Sequence, residues 1–347
     1  MNTTYKTQKL RVEKVSTRTW GLLTPMLPIM LGFLLISFSG ISQIENMMGL
    51  YRYNPQMINP AYVGLNGKNE VTVVHRNQWV GIIGAPKTNG INTSIVWGEN
   101  KGIGASLLLD EAGPIKTTLF NADFAYHAKL NEQWKFSGSI RGSLANVTLD
   151  LAGLQLVDQT DSYFQSNRST GLSPNLGWGL LFSRNTDGLF FSLSQARLAK
   201  YNFGSDNGSF KDVPYFYFMT GTKIPMGGKI TNSNGEEVNR FTLYPSVLFR
   251  IAHDVPVSTD LNINGNFRGK VDVGLSLRTS NSYGIRVGVQ ATPKLYVGYL
   301  FESPTSALKT VTTQSHEFAL RLSFLPKNKQ SRSTESVNEK ANNSEKK

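Results

Sequence analysis

The run 316–324, near the end of the chain, constrains the fold more than any other feature of the sequence. Its residues alternate one at a time between two faces, which is the period of a β-strand whose faces meet different surroundings. One face carries Phe318, Leu320, Leu322 and Phe324, and the other carries Glu317, Ala319, Arg321 and Ser323. Because such a strand closes a chain that opens with an export signal, we predict an all-β fold, a transmembrane antiparallel outer-membrane β-barrel.

The first 42 residues have the organisation of a targeting segment. A basic stretch precedes an apolar run over 20–38, and the small residues Gly40 and Ser42 follow it. This order is typical of a cleavable signal peptide. An uncleaved membrane anchor is the alternative, because the run approaches the ~20 residues that a spanning helix needs. Two prolines interrupt the run, so we predict a signal peptide over 1–42.

The absence of cysteine and the distribution of charge exclude several classes of protein. Without cysteine there is no disulfide framework, thiol catalysis, Cys-ligated metal or lipoprotein processing. The segments 1–42 and 326–347 supply +4 and +3 of the formal net charge of +12, and the remainder is spread along the chain. Nucleic-acid binding is disfavoured because it needs a basic patch. The segment 326–347 is rich in Lys, Asn, Ser and Glu, and we predict a disordered tail.

Between 70 and 325 the alternation recurs often enough to build a barrel. Fourteen segments alternate, and an even number of strands places both ends of a barrel on one side of the membrane. Short turns such as 185–187 join some of them, and longer connections over 148–174 and 225–240 join others. The predicted strands are 70–77, 88–98, 102–110, 118–129, 134–145, 175–184, 188–195, 214–224, 241–250, 257–267, 270–278, 283–290, 294–301 and 316–324.

A soluble β-sandwich or a lipocalin-like barrel is the alternative, and its apolar face would fill a core. Aromatic residues near the strand ends favour the membrane barrel, because aromatic girdles mark the two interfaces. These residues are Trp97, Trp134, Tyr283 and Tyr299. The preceding segment, 43–69, is rich in Pro, Asn and Tyr and is too irregular for a central strand. We predict that it packs on or in a barrel formed by 70–325.

The sequence YRYNPQMINPAYVG over 51–64 resembles the opening of the PorP/SprF family of type IX secretion system membrane proteins. Further motifs resemble the family in order along 43–325, and their order is more specific than any one motif. One departure is 299–302, where the family pattern has an aromatic residue followed directly by Asp. The other matching motifs are 76–81, 84–88, 102–104, 110–114, 121–126, 244–248, 273–278, 297–299 and 315–317.

The resemblance implies a component of type IX secretion in the outer membrane of Bacteroidetes-type bacteria. Some members resemble core components tied to periplasmic ring and peptidoglycan-binding lipoproteins. Others resemble dedicated partners of one large secreted adhesin and recognise its C-terminal domain, gliding-motility adhesins being the best-known cargo. The implied partners are therefore a secreted cargo protein, these periplasmic components and outer-membrane lipid, with no nucleic acid.

No catalytic constellation stands out in the sequence. The four histidines are scattered without metal-ligand spacing, and the glycines of 102–104 match a dinucleotide fingerprint only in part, since no helix follows. We predict no enzymatic activity, no cofactor and no metal. An outer-membrane hydrolase stays an alternative, and it would need a Ser/His/acid set that no signal in the sequence singles out.

Polar residues of the N-terminal segment and of the inward strand faces are the candidate contact residues. We expect Arg76, Gln78 and Trp79 to position the N-terminal segment. The candidates for structural or partner contacts are Tyr53, Asn54, Pro55, Asn59, Pro60, Arg76, Gln78, Trp79 and Asp110. Further residues expected to point inward or to lie at the mouths are His75, Asp123, Lys135, Arg141, Arg250, Asp272, Arg278, Arg286 and Arg321.

Two interpretations of this polar face stay open: a solvated or plugged interior, or side chains that hold a segment of a partner. The leading functional hypothesis is an accessory barrel that binds secreted cargo or a component of the secretion machinery. A passive porin-like channel is the alternative from another class. A structural anchor that ties the envelope to a periplasmic ring is a further alternative.

Overall fold

Antiparallel strands make up most of the chain in the computed structural model. The structure describes residues 48–151, 167–201, 213–231, 237–279, 282–312 and 314–326. The predicted signal peptide and all but the first residue of the predicted tail lie outside these ranges. None of the described residues forms a helix long and apolar enough to cross a membrane.

Sixteen strand segments follow one another along the described chain, with two short 3₁₀ turns before the first and one before the last. The strands are β1 Asn69–Asn77, β2 Lys87–Trp97, β3 Lys101–Ala112, β4 Ile115–Lys129, β5 Trp134–Leu149, β6 Arg168–Ser169, β7 Ser173–Arg184, β8 Phe190–Gln195, β9 Phe216–Gly221, β10 Ile224–Thr231, β11 Glu237–Ala252, β12 Val255–Phe267, β13 Val271–Arg278, β14 Ser282–Gln290, β15 Leu295–Pro304 and β16 Ser315–Phe324.

The strands close on themselves to form a barrel. β1 pairs with β2 on one side and with the last strand, β16, on the other, from Asn69 opposite Phe324 to Asn77 opposite His316. β9 and β10 are two segments of one strand, since both pair with β11. β6 adds only a two-residue pairing at the end of β5. The sequence-based prediction of a closed antiparallel barrel with 14 strands is therefore confirmed.

The polarity of the two sheet faces is the reverse of that in a soluble protein, since the apolar face is exposed and the polar face is buried. On the outside, the side chains of Ile140 and Leu275 are 65% and 61% exposed. On the inside, Glu317 and Asn264 are fully buried, and Arg286 is 1% exposed. A soluble barrel would bury the apolar face instead. The outer surface is therefore suited to hydrocarbon, as the alternation in β16 predicted.

The two ends of the barrel differ in the length of their connections. Asn69 and Phe324, which begin and end the sheet, are paired and so lie at the same end. At that end the chain turns within a few residues, for example between β12 and β13, whereas 150–172 and 196–215 are long connections at the other end. Outer-membrane barrels have short periplasmic turns and longer extracellular loops. We therefore assign the end with the short turns to the periplasm.

Two local predictions are wrong. The stretch 225–240 is not a long loop, because most of it forms β10 and the start of β11. Its paired glycines, Gly227 and Gly228, both have positive φ and produce a shift in register within β10, so they read as a turn in the sequence. His75 is exposed on the outward face, where its ring bonds to Asn89, because the neighbouring residue takes the inward position.

The predicted aromatic girdles are partly reproduced. Trp97 and Trp134 lie next to short periplasmic turns, and Tyr283 lies near the opposite end of β14. Tyr299 lies in the middle of β15, where its hydroxyl bonds to His316 at 2.7 Å. The prediction that Tyr299 lies at a membrane interface is therefore wrong.

Candidate functional site

Residues 48–65, here called the lumen segment, lie against the inward face of the barrel. Two Asn-Pro steps shape the lumen segment, because each proline starts a short 3₁₀ turn, Pro55–Met57 and Pro60–Tyr62. Proline fixes φ and removes an N–H donor, so this stretch cannot continue as a ladder strand. The polar side chains of Asn54 and Asn59 are nevertheless buried. Such burial requires hydrogen-bond partners, and the barrel wall supplies them.

Gln56 joins the lumen segment to a buried ion pair on β4 and β5. Arg141 donates to both carboxylate oxygens of Asp123, at 2.7 and 2.9 Å, and to the backbone oxygen of Gln56 at 2.8 Å. The Gln56 amide donates to Asp123 at 3.0 Å and accepts from Asn92 at 3.2 Å. Asn54 in turn donates to Asn92 at 2.6 Å. One connected network therefore links the first 3₁₀ turn to three strands.

Asn59 fixes the second turn against β7 and β8. Its Nδ2 donates to Ser192 Oγ at 2.8 Å and to the backbone oxygen of Leu180 at 3.0 Å, while its Oδ1 accepts from Ala61 N at 2.8 Å. Gly179 makes this approach possible, because a Cβ there would lie 1.9 Å from Asn59 Oδ1. The amide is thus fully engaged by the wall and by its own turn.

The end of the lumen segment lies directly on the backbone of β3. Val63 O bonds to the His127 ring at 2.9 Å, and Gly64 N donates to Ser94 Oγ at 2.8 Å. A Cβ on Gly102 would lie only 2.0 Å from Val63 O. The glycine is therefore needed for contact between backbones, and not for the turn of a nucleotide-binding loop.

Glu317 holds the other end of the lumen segment. Its carboxylate accepts from Gly49 N at 2.7 Å and from Leu50 N at 2.9 Å. Arg76, which faces Glu317 across the pairing of β1 with β16, donates to the same carboxylate at 2.9 Å and contacts Glu302 at 2.5 Å. All three charged side chains are at most 5% exposed. The first and last strands thus meet the lumen segment at a shared carboxylate.

The ion pairs continue around the wall as an alternating series. Arg278 contacts Glu302 at 3.2 Å and Asp260 at 2.9 Å, and Arg250 contacts Asp260 through two bonds of 2.8 and 2.9 Å. Three cations alternate with three anions, so the series is neutral as a whole. We call it the lumen charge chain, and its members are Glu317, Arg76, Glu302, Arg278, Asp260 and Arg250.

Tyr51 connects the lumen segment to β12 and β14. Its hydroxyl accepts from Asn262, which in turn accepts from Arg286, and Arg286 donates further to Asn264 at 3.2 Å. Burial raises the pKa of Tyr51 to about 12, so the phenol is neutral at physiological pH. The guanidinium of Arg286 also lies 6.0 Å from the centre of the Tyr51 ring.

The arrangement holds polypeptide by hydrogen bonds and paired charges. The acids of the lumen charge chain each face an arginine, and the amides of the lumen segment are engaged by the wall. Among the residues that the structure describes, no three His, Asp or Glu side chains come together as a metal site. The inward face can therefore bind and position a chain segment.

The structure places the candidate residues from the sequence in two groups. Tyr53, Asn54, Asn59 and Pro60 are buried parts of the lumen segment, with Pro55 partly buried among them. Pro55 and Pro60 begin the two 3₁₀ turns, and Asn54 and Asn59 are the residues that precede them.

The candidates on the first strands contact different partners. Arg76 reaches the lumen segment through Glu317. Gln78 N donates to Pro86 O at 2.9 Å and Trp79 N to Ser315 Oγ at 3.0 Å, contacts that lie at the extracellular rim. Asp110 accepts from the Thr88 hydroxyl at 2.6 Å. Of these, only Arg76 shares a partner with the lumen segment in the hydrogen bonds described.

Several contact residues were not singled out from the sequence, among them Glu317, Gln56, Asp260 and Glu302. Gln56 lay inside a recognised motif but was not singled out. Asp260 had a signal, because alternate residues of β12 from 260 to 266 are all polar, with Asn at three positions. Glu302 fell just outside the predicted strand 294–301, whereas it lies in β15 and is 4% exposed.

Three of the solved structures that the chain resembles are outer-membrane barrels with 9 to 10% sequence identity. The toluene transporter TbuX of Ralstonia pickettii has 10% identity and a TM-score of 0.45, over 78% of this chain and 92% of that one. The monoaromatic hydrocarbon channel CymD has 9% identity and a TM-score of 0.46, over 82% and 95%. Omp33 of Acinetobacter baumannii has 9% identity and a TM-score of 0.40, over 74% and 99%.

No curated protein matches the chain at the level of sequence. A family model does match it, over residues 41–322, and its description is type IX secretion system membrane protein PorP/SprF. The match includes the whole lumen segment and all but the last two residues of β16. The chain therefore belongs to the PorP/SprF family of type IX secretion system membrane proteins, and it lies in the outer membrane.

Proposed function

We propose that this protein is a sealed, non-enzymatic docking barrel of the type IX secretion system. It binds a secreted cargo protein, or ties the secretion and gliding machinery to the outer membrane. The observation that carries the proposal is the occupation of the lumen by residues 48–65. The proposal divides the chain into a signal peptide over 1–42, an N-terminal segment over 43–69, a barrel over 70–325 and a disordered tail over 326–347.

The contacts of the lumen segment support a sealed barrel over a porin-like channel. They reach opposite parts of the wall, from Glu317 on β16 to Ser192 on β8. Asn59, Ala61 and Val63 have no exposed surface. A water-filled pore would leave its charged side chains wet, whereas the members of the lumen charge chain are at most 7% exposed.

A barrel with an occupied lumen binds partners at its rims. On the extracellular side the long connections 150–172 and 196–215 are the surfaces for a large secreted adhesin and its C-terminal domain. On the periplasmic side the short turns face ring and peptidoglycan-binding lipoproteins. Loops carried by a rigid scaffold are where binding surfaces are usually built. The bacterium in this proposal is of the Bacteroidetes type, and the cargo is of the gliding-adhesin class.

A conductance measurement separates a sealed barrel from a channel. We expect the purified protein in a planar lipid bilayer to give no stable conductance steps, because residues 48–65 lie across its lumen from β16 to β8. A variant lacking 48–65 is the positive control and should conduct if it inserts. Porin-like steps from the unaltered protein would contradict the proposal and favour the channel alternative.

A gene deletion with quantitative proteomics of the cell surface and medium tests the role in secretion. Loss of one or a few large proteins would identify a dedicated cargo partner. Loss of all signal-bearing cargo would identify a core component. Unchanged secretion would contradict the proposal. Complementation with the full-length gene is the control for effects on neighbouring genes.

A further inference from the structure

The hairpin formed by 224–231 and 237–243, here called the periplasmic hairpin, extends beyond the wall of the barrel. Phe241 is the first residue of β11 that pairs with β12, opposite Phe267, so 237–239 pair only with β10, and the last bond on this side joins Arg268 N to Arg240 O at 3.0 Å. On the other side, the last bonds to the neighbouring turn are made by Thr222 and Lys223, both to Asp187 O. The hairpin therefore projects from the periplasmic rim into water.

The outer edge of β10 carries no strand among the described residues. β10 stands at the end of the sheet order and pairs only with β11. The bulge at Gly227 and Gly228 divides this eight-residue strand into two extended stretches, 224–226 and 229–231, of about 10 Å each at about 3.3 Å per residue. Six of the eight residues are exposed, including Met226 at 48%. Apart from Pro225, which has no N–H, the outer backbone groups of these stretches face no strand among the described residues, and such an edge is a template for one more strand.

Basic side chains lie on both arms of the hairpin, just before it, and on the turn beside β11. Lys223, Lys229, Arg240 and Arg268 are exposed on the hairpin or on the adjoining turn. Glu237 is the acidic residue described on the hairpin arms, and it already pairs with Lys229 at 3.1 Å. With Glu236 counted as well, the sequence has four basic and two acidic residues in 223–240 and at 268, a surplus of two positive charges that favours an acidic ligand. It also disfavours a second copy of this hairpin, since like charges would meet across the new pairing.

We infer that the free edge of β10 accepts an acidic, extended segment of a partner protein as an added strand. This inference rests on the proposed docking function and gives it a periplasmic site. Pro225, Lys229 and the bulge at Gly227 and Gly228 are features that guard edges against indiscriminate pairing. They leave the edge selective, because an acidic strand is attracted by the exposed Lys223 and Arg240, whereas a basic strand is repelled by them.

The test uses the full-length mature barrel in detergent and two synthetic peptides, one of alternating Glu and Val and one of alternating Lys and Val. We expect the acidic peptide to bind at least about ten-fold more tightly than the basic peptide. Hydrogen–deuterium exchange should show protection of the amides of β10 and little change elsewhere. Equal affinity for the two peptides, or protection at another place, would overturn the inference.

A shortened variant tests the site itself. Replacing 227–240 by Asn-Gly keeps the pairs of Ile224, Pro225 and Met226 with β11 and closes them with a tight turn. We expect this variant to fold, as judged by heat-modifiable migration, and to lose binding of the acidic peptide. Retention of that binding would overturn the inference.

A charge-reversal variant distinguishes a peptide from a lipid surface. Lys229→Glu with Arg240→Glu should lose the acidic peptide, whereas Lys87→Glu with Lys116→Glu, at the opposite rim, should keep it. If the first variant instead loses only binding to vesicles of phosphatidylglycerol and keeps the peptide, the edge is a lipid contact and the inference fails.

Complementation in cells separates failure of the inference from failure of the proposed function. If the full-length gene restores secretion and the shortened variant does not, the inference is supported. If both restore it, the inference is wrong and the docking function stands. If deletion of the gene changes nothing, the docking function fails, and the peptide measurements still decide whether the edge accepts a strand.

Discussion

Single buried side chains decide how firmly the lumen segment is held, and Asn59 shows this most simply. Asn59→Ala removes the side-chain amide that donates to Ser192 and Leu180 and accepts from Ala61 N. We expect a loss of about 1–3 kcal/mol in the free energy of unfolding, since buried polar groups would be left without partners. Denaturant unfolding in lipid vesicles measures it. Asn66→Ala, at an exposed position shortly after the lumen segment, should change stability little.

Glu317 is a second residue whose charge matters more than its volume. Glu317→Gln keeps the shape but removes the negative charge that faces Arg76 and one acceptor for the N–H groups of the lumen segment. Breaking a buried pair costs about 3–5 kcal/mol, and we expect the lower end because Arg76 keeps Glu302.

The matched control for Glu317 is Glu111→Gln, at an exposed position of β3. Its unfolding free energy should stay close to that of the unaltered protein, because exposed charges contribute little. Equal effects of the two substitutions would show that Glu317 is not buried as described.

At the scale of elements, glycines on the inward face let the lumen segment touch the strands backbone to backbone. Gly102→Ala would place a Cβ 2.0 Å from Val63 O, so the end of the lumen segment must move. Overpacking of this kind costs about 1–3 kcal/mol. We expect faster proteolysis within the lumen segment. Gly142→Ala is the matched control, because nothing lies within 4 Å of its Cβ position, and faster cleavage there too would contradict the explanation.

The strands could be predicted from the sequence because most of them alternate between apolar residues that face outward and polar residues that face the lumen. In β16 the alternation alone separates Phe318, which is 48% exposed, from the buried Glu317. The alternation fails where both faces meet water, as in β10, whose glycines looked like a loop. In a short run the alternation also does not show which of two neighbouring polar residues points inward, which is why His75 was grouped with Arg76.

The contacts of the site were less predictable than the strands. Glu302 and Arg278 meet across β14, where the residues opposite them are the small Ser282 and Gly284. This contact joins residues that are distant in sequence. Periodicity shows that a side chain points inward but does not show which side chain it faces. The N-terminal motif directed attention to Asn54 and Asn59, and the wall residues that bind them had no comparable local signal.

For the molecule as a whole, the outward apolar face limits which substitutions the barrel tolerates, because a charged side chain there would face lipid. Leu275 lies in the middle of β13 and is 61% exposed, whereas Val271 begins the strand near a periplasmic turn. We expect Leu275→Arg to cost about 2–4 kcal/mol and Val271→Arg about 0–1 kcal/mol, since the penalty depends on depth in the bilayer. Unfolding in vesicles measures both. Similar penalties at the two positions would contradict a spanning orientation for β13.

The carboxylate of Glu317 has a consequence for the order of events during biogenesis. The residues that it holds are made before the first strand, and Glu317 itself belongs to the last strand to leave the ribosome. Arg76 faces it across the seam where the cylinder shuts. If β1 paired with β16 before the lumen segment was in place, the Glu317 carboxylate would lack the hydrogen bonds from Gly49 N and Leu50 N. We therefore expect the lumen segment to enter the barrel before, or together with, the final pairing of β1 with β16.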